Sequence, residues 1–237
     1  MDTNSNKYTF LFAIVMVTII AGLLSYTATT LKPLQQKNIR AEKMQNILSA
    51  IGVDVSRESA DAGFDKYIKQ QLALKKDGTV DENSKAFELS LKKEIKKDSI
   101  NQRLPLYIAE KEGKTFYVIP LYGAGLWDAI WGYIALDSDK NTIVGANFDH
   151  KGETPGLGAE ITTDWFEEQF VGKTLLEDLE AGFAIDNFIS VKAVKGGAKA
   201  EDLHGVDGIS GGTITSDGIS DMLQERLARY LPYFKNN

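Results

Sequence analysis

The stretch Leu104–Gly123, LPLYIAEKEGKTFYVIPLYG, decides the fold class. Two runs of β-branched and aromatic residues flank the short polar segment Lys111–Gly113, which is typical of a β-hairpin. The stretch Trp131–Phe148, WGYIALDSDKNTIVGANF, repeats the pattern around a turn over Asp137–Asn141. Strand pairs joined by short turns predict an α+β fold with a mixed, mainly antiparallel sheet, rather than a doubly wound one.

After these hairpins the sequence predicts shorter elements and a final helix. A short helix over Ile161–Phe170 is expected to bury its three aromatic residues, and a strand is expected over Phe188–Val194. Ser216 is a candidate cap for a helix over Asp217–Leu231. The aromatic residues of the short helix are Trp165, Phe166 and Phe170, and the apolar face of the last helix is Ile219, Met222, Leu223, Leu227, Tyr230 and Leu231.

The region before the hairpins is less regular. An amphipathic helix is predicted over Ile39–Ile51, with Gly52 as its end. Residues 53–84 are polar and charged, which favours a linker or a partner-contacting insert with weak helical periodicity around Tyr67–Leu74. The apolar residues Phe87, Leu89 and Leu91 alternate with polar ones, which predicts a strand.

The N-terminal segment Phe10–Ala28 contains no Asp, Glu, Lys, Arg or His. As a helix it would span roughly 28 Å at about 1.5 Å per residue, close to the hydrocarbon thickness of a bilayer. A transmembrane anchor is favoured over a cleaved signal peptide, because the run is long, only Lys7 precedes it and no clear A-x-A site follows. Lys32-Pro33 is expected to end the helix.

These boundaries divide the chain into three parts. Residues 1–32 form a short N-terminus and the anchor, residues 33–100 a helical stalk and a variable region, and residues 101–237 the main domain. The orientation of the anchor is not obvious, since more Lys and Arg residues follow the span than precede it. A positive-inside count therefore places the main domain in the cytoplasm.

Composition excludes several classes of function. The 237 residues carry a formal net charge of -6 and a pI near 5.1, which disfavours a nucleic-acid partner. There is no cysteine and there are only two histidines, too few for a multi-histidine metal centre, so no metal site is expected. Redox chemistry on this chain would require an organic cofactor.

The segment Asp207–Ser216, DGISGGTITS, lies directly before the last predicted helix. Adjacent glycines permit close backbone approach, and the N–H groups at a helix start suit a phosphate. A loop that merely caps the helix is the alternative. The segment also fits G-x-S-x-G, the nucleophile elbow of α/β-hydrolases. No histidine follows Ser210, so the chain order of that catalytic triad fails.

Two further segments are candidates for ligand contact. His150–Glu160, HKGETPGLGAE, is a loop rich in Pro and Gly that would place backbone N–H groups and the Leu157 side chain against a flat ring; a structural turn is the alternative. Tyr122–Tyr133, YGAGLWDAIWGY, combines glycines with aromatic residues, which is typical either of a ring platform or of hydrophobic core.

Together these segments resemble the FMN-binding domain family that includes the C-type subunit of the Na+-translocating NADH:quinone oxidoreductase. In that family a D-x-x-[ST]-G-A-T motif receives FMN through a phosphoester to its last threonine, attached by a flavin transferase. Asp207, Ser210, Gly211 and Thr213 match this motif, and Gly212 stands where alanine is usual. The resemblance implies covalent FMN on Thr213, with Thr215 as the rival attachment residue.

The resemblance implies a cofactor site and no catalytic residue beyond the flavin. The second family signature, E-T-P-G-L-G, corresponds to Glu153–Gly158 and is expected to contact the flavin. The expected cofactor-binding residues are Thr213, Asp207, Ser210, Gly211, Gly212, Thr215, Ser216, Lys151, Glu153, Thr154, Leu157, Gly158 and Trp127. Since the chain lacks a G-x-G-x-x-G fingerprint, NADH must be oxidised on another subunit.

The resemblance further implies an electron carrier between NADH and quinone, in a complex that exports Na+. The expected partners are the other subunits of the complex, the flavin transferase during maturation, and membrane lipid around the anchor. The flavin domain is expected on the periplasmic side of a bacterial inner membrane, opposite to the charge count. The alternatives are the G-type subunit of the Rnf electron-transport complex, a domain that binds FMN without a covalent bond, and an anchored scaffold without redox function.

Overall fold

The computed structural model describes residues 5–237. Its helices and strands are α1 (Asn6–Ser49), α2 (Ala60–Tyr67), β1 (Ile68–Leu74), α3 (Leu91–Glu94), β2 (Leu104–Lys111), β3 (Lys114–Ala124), β4 (Ala129–Leu136), β5 (Ile143–His150), α4 (Asp164–Glu167), β6 (Lys192–Val194), β7 (Gly205–Asp207), α5 (Thr213–Leu227) and α6 (Leu231–Asn236). Residues 44–237 form one compact unit, and the described residues before them, 5–43, form another.

Strands β1 to β5 form an antiparallel sheet in sequence order. Both predicted hairpins are present. Glu112 and Gly113 make the first turn with φ values of 54° and 77°, and in the second turn the Asp139 carboxylate accepts hydrogen bonds from the N–H groups of Asn141 and Thr142. A short parallel pair, β6 and β7, lies outside this sheet. The predicted α+β class with a mainly antiparallel sheet is confirmed.

One face of the sheet packs against α5 and α6, and the main hydrophobic core lies between them. The apolar face predicted for the last helix is buried at every one of its six positions. Helix α5 approaches β3 closely at Gly218, where a Cβ atom would lie 2.3 Å from the Ala124 carbonyl oxygen. This close approach fixes the start of α5 beside the end of β3.

The opposite face of the sheet is covered by α2 and by the residues that end α1. Phe64 of α2 makes an edge-on ring contact with Tyr107 of β2. At Gly145 of β5 a Cβ atom would lie 2.2 Å from the Ala50 carbonyl oxygen, directly after α1. The Lys111 ammonium group donates hydrogen bonds to the carbonyl groups of Ile51 and Gly52. Both faces of the sheet are therefore protected from solvent.

Helix α1 contains the predicted span and is long and apolar enough to cross a membrane: its most apolar 18-residue window has a mean hydropathy of 2.2 and contains no buried residue. The prediction that Lys32-Pro33 ends the helix is wrong, because α1 continues through Pro33 to Ser49. Proline removes one backbone hydrogen bond, and the long helical stretches on both sides outweigh that loss. Gly52, at φ 65°, lies beyond the helix end as predicted. Ile39, the first residue of the predicted amphipathic helix, is exposed rather than buried.

Two predictions for the region before the hairpins are wrong. A linker over residues 53–84 is not observed, since they contain α2 and the edge strand β1, and the helical periodicity around Tyr67–Leu74 corresponds to a strand. The alternative of a partner-contacting insert stays a prediction. The segment Ile68–Leu74 is polar at several positions and lacks the apolar alternation typical of a strand. It forms a strand because it pairs with β2. Phe87, Leu89 and Leu91 do not form a strand; a 3-10 turn over Ala86–Glu88 and α3 take their place.

Two later predictions also need correction. The strand expected over Phe188–Val194 is limited to Lys192–Val194, because only these residues pair with β7. The short helix after β5 buries Phe166 and Phe170 completely, but its third aromatic residue, Trp165, is 54% exposed. Phe166 and Phe170 are four residues apart and share one face, whereas Trp165 points about 100° away from them, to the exposed side.

We expect Tyr230→Phe to destabilise the main unit. The buried Tyr230 hydroxyl donates a hydrogen bond to the Pro105 carbonyl at 2.9 Å, which ties the segment after α5 to β2. Its removal leaves a buried acceptor without this donor, at a cost of about 1–2 kcal/mol in the free energy of unfolding. Urea unfolding of the detergent-solubilised chain measures this. Tyr117→Phe is the control, since the half-buried Tyr117 hydroxyl makes no hydrogen bond within residues 5–237; equal losses would contradict the interpretation.

Candidate functional site

Helix α5 begins at Thr213, earlier than the predicted start at Asp217. Ser216 therefore lies in the first turn and does not cap the helix. Its buried hydroxyl oxygen instead accepts a hydrogen bond from the Ile209 N–H at 3.0 Å, and its own N–H donates to the Gly212 carbonyl at 2.9 Å. The Ser216 side chain therefore binds the preceding loop at Ile209 instead of capping the helix, and the helix begins three residues earlier, at Thr213.

The first turn of α5 has no side-chain cap. Gly212 occupies the cap position and has no side chain to offer. The first N–H groups of any helix lack acceptors within the helix, and they carry the positive end of the helix dipole. The backbone of Thr213, Ile214 and Thr215 therefore presents donors that suit an anion at the end of the motif.

A buried carboxylate joins the three candidate segments. Glu153, from the E-T-P-G-L-G loop, is only 5% exposed. One of its oxygen atoms accepts a hydrogen bond from the Thr215 hydroxyl at 2.6 Å, and the other accepts one from the Trp127 N–H at 3.0 Å. The structure thus brings together segments that the sequence only suggested were related.

Two glycines make room for this carboxylate. A Cβ atom at Gly125 would lie 2.5 Å from the Glu153 Oε1 atom. A Cβ atom at Gly158 would lie 2.4 Å from the Glu153 Oε2 atom and 2.3 Å from the Thr215 hydroxyl oxygen. Any larger side chain at either position would have to displace the carboxylate, so both glycines are required by close approach.

Glu153 is ionised in this environment. Burial works to raise the pKa of its carboxyl group, but the hydrogen bonds from the Thr215 hydroxyl and the Trp127 N–H outweigh this effect. The pKa consequently lies below the usual value. A buried negative charge that depends on these donors locks the loops to the start of α5.

The two candidate threonines differ in accessibility. Thr215 is 1% exposed and its hydroxyl is bonded to Glu153. Thr213 is half-buried and lines two hollows, one of about 480 Å³ and one of about 200 Å³. Of the two hydroxyl groups in the motif's last turn, that of Thr213 is the one open to a reactant.

The smaller hollow lies between the E-T-P-G-L-G loop and the start of α5. Thr154, Leu157 and Gly158 line it together with Thr213. Gly211 adopts φ 76°, and a Cβ atom there would lie 2.7 Å from the Leu157 Cδ2 atom, so the two loops touch at this point. At Gly212, where the family motif has alanine, a Cβ atom would lie 2.9 Å from the Ile209 Cγ2 atom and 3.2 Å from the Gly158 backbone nitrogen, so an alanine here would require both neighbours to shift.

The larger cleft lies on the other side of the motif. Trp165, Lys195, Ser210 and Asp217 are among the residues that line it with Thr213. Trp165 was predicted to be core, and Lys195 was not singled out from the sequence. The one local signal that could have drawn attention to it is the pair of glycines that follows, Gly196 and Gly197, because adjacent glycines directly after a predicted strand are typical of a turn.

Of the expected site residues, Asp207 lines the larger cleft, whereas Lys151 and the ring of Trp127 line neither hollow. Asp207 accepts a hydrogen bond from the Ala198 N–H at 2.7 Å while it lines the larger cleft. Lys151 forms an ion pair with Asp128 at 2.5 Å, and the exposed ring of Trp127 lines neither hollow. The remaining expected residues surround Thr213 within the two hollows or, as Ser216 and Glu153 do, hold them in shape.

The fold and this arrangement of loops define an FMN-binding domain, and the family model described as "FMN-binding domain" matches residues 125–228. The chain is 32% identical to the C subunit of the Na(+)-translocating NADH-quinone reductase of Vibrio anguillarum, over 92% of this chain and 89% of that protein. The corresponding protein of Haemophilus ducreyi is also 32% identical, over 89% and 86% respectively.

Solved structures agree with these relatives. The C subunit of the same reductase from Parabacteroides distasonis is 38% identical, with a TM-score of 0.76 over 86% of this chain and 96% of that chain. Shewanella oneidensis NqrC is 30% identical, with a TM-score of 0.68 over 83% and 96%. The chain belongs to the NqrC family, the C subunits of the Na(+)-translocating NADH-quinone reductase, which confirms the predicted resemblance.

We expect Thr215→Val to destabilise the protein in a pH-dependent manner. The variant removes a hydrogen bond to the buried, ionised Glu153, at a cost of about 1.5–3 kcal/mol near neutral pH. The folded pKa of Glu153 lies below its ordinary value of 4.5. The contribution of ionised Glu153 to the free energy of unfolding is therefore fully present above about pH 4.5, and it is lost as the pH falls through the pKa of Glu153 in the folded protein.

Urea unfolding at several pH values measures this loss. Thr154→Val is the matched control, because Thr154 lines the same hollow but is exposed; its effect should stay within about 0.5 kcal/mol. A loss for Thr215→Val that is equally large at neutral and at strongly acidic pH would show that the charge of Glu153 is not involved.

Proposed function

We propose that this chain is the membrane-anchored subunit that carries FMN as a phosphoester on Thr213 and passes electrons within a Na+-translocating NADH-quinone reductase. The observation that carries the proposal is the position of Thr213. Thr213 is half-buried, is the uncapped first residue of α5, and lines two hollows. Membership of the NqrC family supports the same assignment.

The residues around Thr213 fit an esterified phosphate. A phosphodiester retains about one negative charge, and the first N–H groups of α5 with the helix dipole stabilise such a charge by about 0.3–1 kcal/mol at an exposed site. The attachment hydroxyl must be reachable by a transferase, and Thr213 meets this condition. Thr215 does not, because its hydroxyl is buried against Glu153.

The surrounding residues orient the cofactor. When bound, FMN supplies one-electron and two-electron transfer, which no side chain of this protein provides. Thr154, Leu157 and Gly158 flank the attachment residue in the smaller hollow, and Ser210 and Gly211 form its edge on the other side. Glu153 acts as a positioning residue through Thr215 and the Trp127 backbone, rather than as a contact to the flavin ring.

The rest of the chain fits a carrier within a larger complex. The chain has no G-x-G-x-x-G fingerprint, so other subunits accept electrons from NADH and deliver them to quinone. Helix α1 anchors the protein in the inner membrane, with the flavin domain on the periplasmic side. The names of the relatives favour the NADH-quinone complex over the Rnf complex.

Mass spectrometry of the chain from its native membrane tests the attachment. We expect the mass of FMN less one water on the peptide that contains Thr213, with fragmentation placing it on Thr213 rather than Thr215. Thr213→Ala should lose this mass entirely. Ser138→Ala, which removes an exposed hydroxyl in the β4–β5 turn away from both hollows, should keep it.

Three results would contradict the proposal in different ways. An unmodified chain from cells that contain the flavin transferase would rule out covalent attachment. A yellow protein that loses its colour on denaturation would indicate FMN bound without a covalent bond. A colourless protein unaffected by Thr213→Ala would favour an anchored scaffold without redox function.

A further inference from the structure

A short acidic loop, Glu177–Asn187, has no role in the proposed function. Its sequence, EDLEAGFAIDN, contains Glu or Asp at four positions and no Lys, Arg or His. The loop projects from a buried base, where Leu176 and Phe188 form an isolated antiparallel bridge. Compact surface loops whose ends lie close together frequently carry a function, so this loop is a candidate for one.

One side chain holds the loop closed. The buried Asn187 amide group donates hydrogen bonds to the carbonyl groups of Asp178, at 2.6 Å, and Gly182, at 2.8 Å, and its oxygen accepts the Asp178 N–H at 3.1 Å. The Phe183 ring packs against the Phe234 ring of α6, with centroids 5.6 Å apart. The loop is therefore fixed in one shape without a partner, which lowers the conformational entropy lost on binding.

This rigid loop displays apolar side chains that the fold itself does not bury. Leu179 is 43% exposed and Ile185 is 69% exposed. The same loop carries four exposed carboxyl groups, none of which forms an ion pair within residues 5–237. They belong to Glu177, Asp178, Glu180 and Asp186. Exposed apolar residues with charged neighbours are typical of a protein–protein contact.

The loop lies far from the attachment residue. Phe234, against which the loop packs, also contacts Tyr117 near the start of β3, with ring centroids 5.8 Å apart. Helix α5 instead meets the other end of β3, where Gly218 approaches Ala124. The strand from Tyr117 to Ala124 is roughly 24 Å long at about 3.4 Å per residue. A partner on the loop therefore does not need to approach the flavin site.

The charge of the loop decides which partner fits. Four carboxylates repel an anionic lipid surface. A second copy of this chain is disfavoured as well, because a symmetric contact through the loop would bring two sets of carboxylates together. A protein surface with Lys or Arg residues around an apolar hollow is complementary in both respects. The relatives of this chain are C subunits of a reductase, so another subunit is the available source of such a surface.

We propose that Glu177–Asn187 is a docking loop for another subunit of the reductase, which receives Leu179 and Ile185 in an apolar hollow bordered by Lys or Arg residues. The docking loop rests on the proposed function, since it takes the chain as part of that complex. The contact holds the domain at the end of the sheet opposite the flavin site. Because Asn187 already closes the loop, docking orders few further residues.

Photo-crosslinking in the native membrane tests the docking loop. A benzophenone amino acid in place of Ile185 should form an adduct with another subunit, on a peptide that contains Lys or Arg near the modified residue. Ile100 is the matched control position, because it is 76% exposed and lies outside the loop, so it should give little or no adduct. An adduct from Ile185 no greater than that from Ile100, or one formed only with lipid or with a second copy of this chain, would overturn the proposal.

Charge reversal tests the basic border of the partner's hollow. Glu180→Lys combined with Asp186→Lys should lower the yield of the Ile185 adduct at least roughly twofold, as expected from the loss of two exposed ion pairs. Neither carboxylate makes a hydrogen bond within residues 5–237, so the fold should be unaffected. Glu112→Lys reverses an exposed carboxylate in the first hairpin turn and should leave the yield unchanged. A yield that the double variant leaves unchanged, or that Glu112→Lys lowers equally, would contradict the docking loop.

The two proposals fail in distinguishable ways. A chain that carries flavin on Thr213 but gives no adduct from Ile185 retains the proposed function and loses the docking loop. A chain that forms the adduct with another subunit but carries no flavin retains the docking loop and loses the attachment.

Discussion

The arrangement of the site depends on one buried carboxylate. Glu153 is reached by Thr215, 62 positions away along the chain, and by the Trp127 N–H, 26 positions away. Burying a charge is costly unless it is hydrogen-bonded, so the loop, the end of the β3–β4 hairpin and the start of α5 must assemble together. The glycines that flank the carboxylate, Gly125 and Gly158, are part of the same constraint, because a Cβ atom at either position would collide with it.

This constraint also explains why the two threonines of the last turn differ. Successive helical residues are about 100° apart around the axis, so residues two apart lie on nearly opposite sides. Once Thr215 turns inward to Glu153, Thr213 must turn outward to the hollows. The bond to Ser216 from the Ile209 N–H sets where the helix begins and leaves the first N–H groups uncapped. The accessible hydroxyl and the donors for an anion thus arise from the same packing.

Local patterns predicted those elements whose cause is local. The hairpins follow from alternating apolar residues and turn chemistry, and the buried face of the last helix follows from its periodicity. Strand β1 could not be predicted, because it lies at the edge of the sheet, is polar at several positions, and forms a strand only by pairing with β2. The same holds within the site: the motif predicts Thr213 as the attachment residue, but the partners of Glu153 and the cleft lined by Trp165 and Lys195 depend on residues distant in sequence.

The openness of the site is consistent with the proposed covalent attachment. A cofactor that must be retained by affinity alone needs an enclosing pocket that buries most of its surface. Here Leu126, Leu157 and Ile214 line the smaller hollow and yet remain 41–56% exposed. A phosphoester bond removes the need for enclosure, because the cofactor stays attached however weak its other contacts are. The exposed apolar edges then leave the attached cofactor accessible, as the proposed carrier role requires.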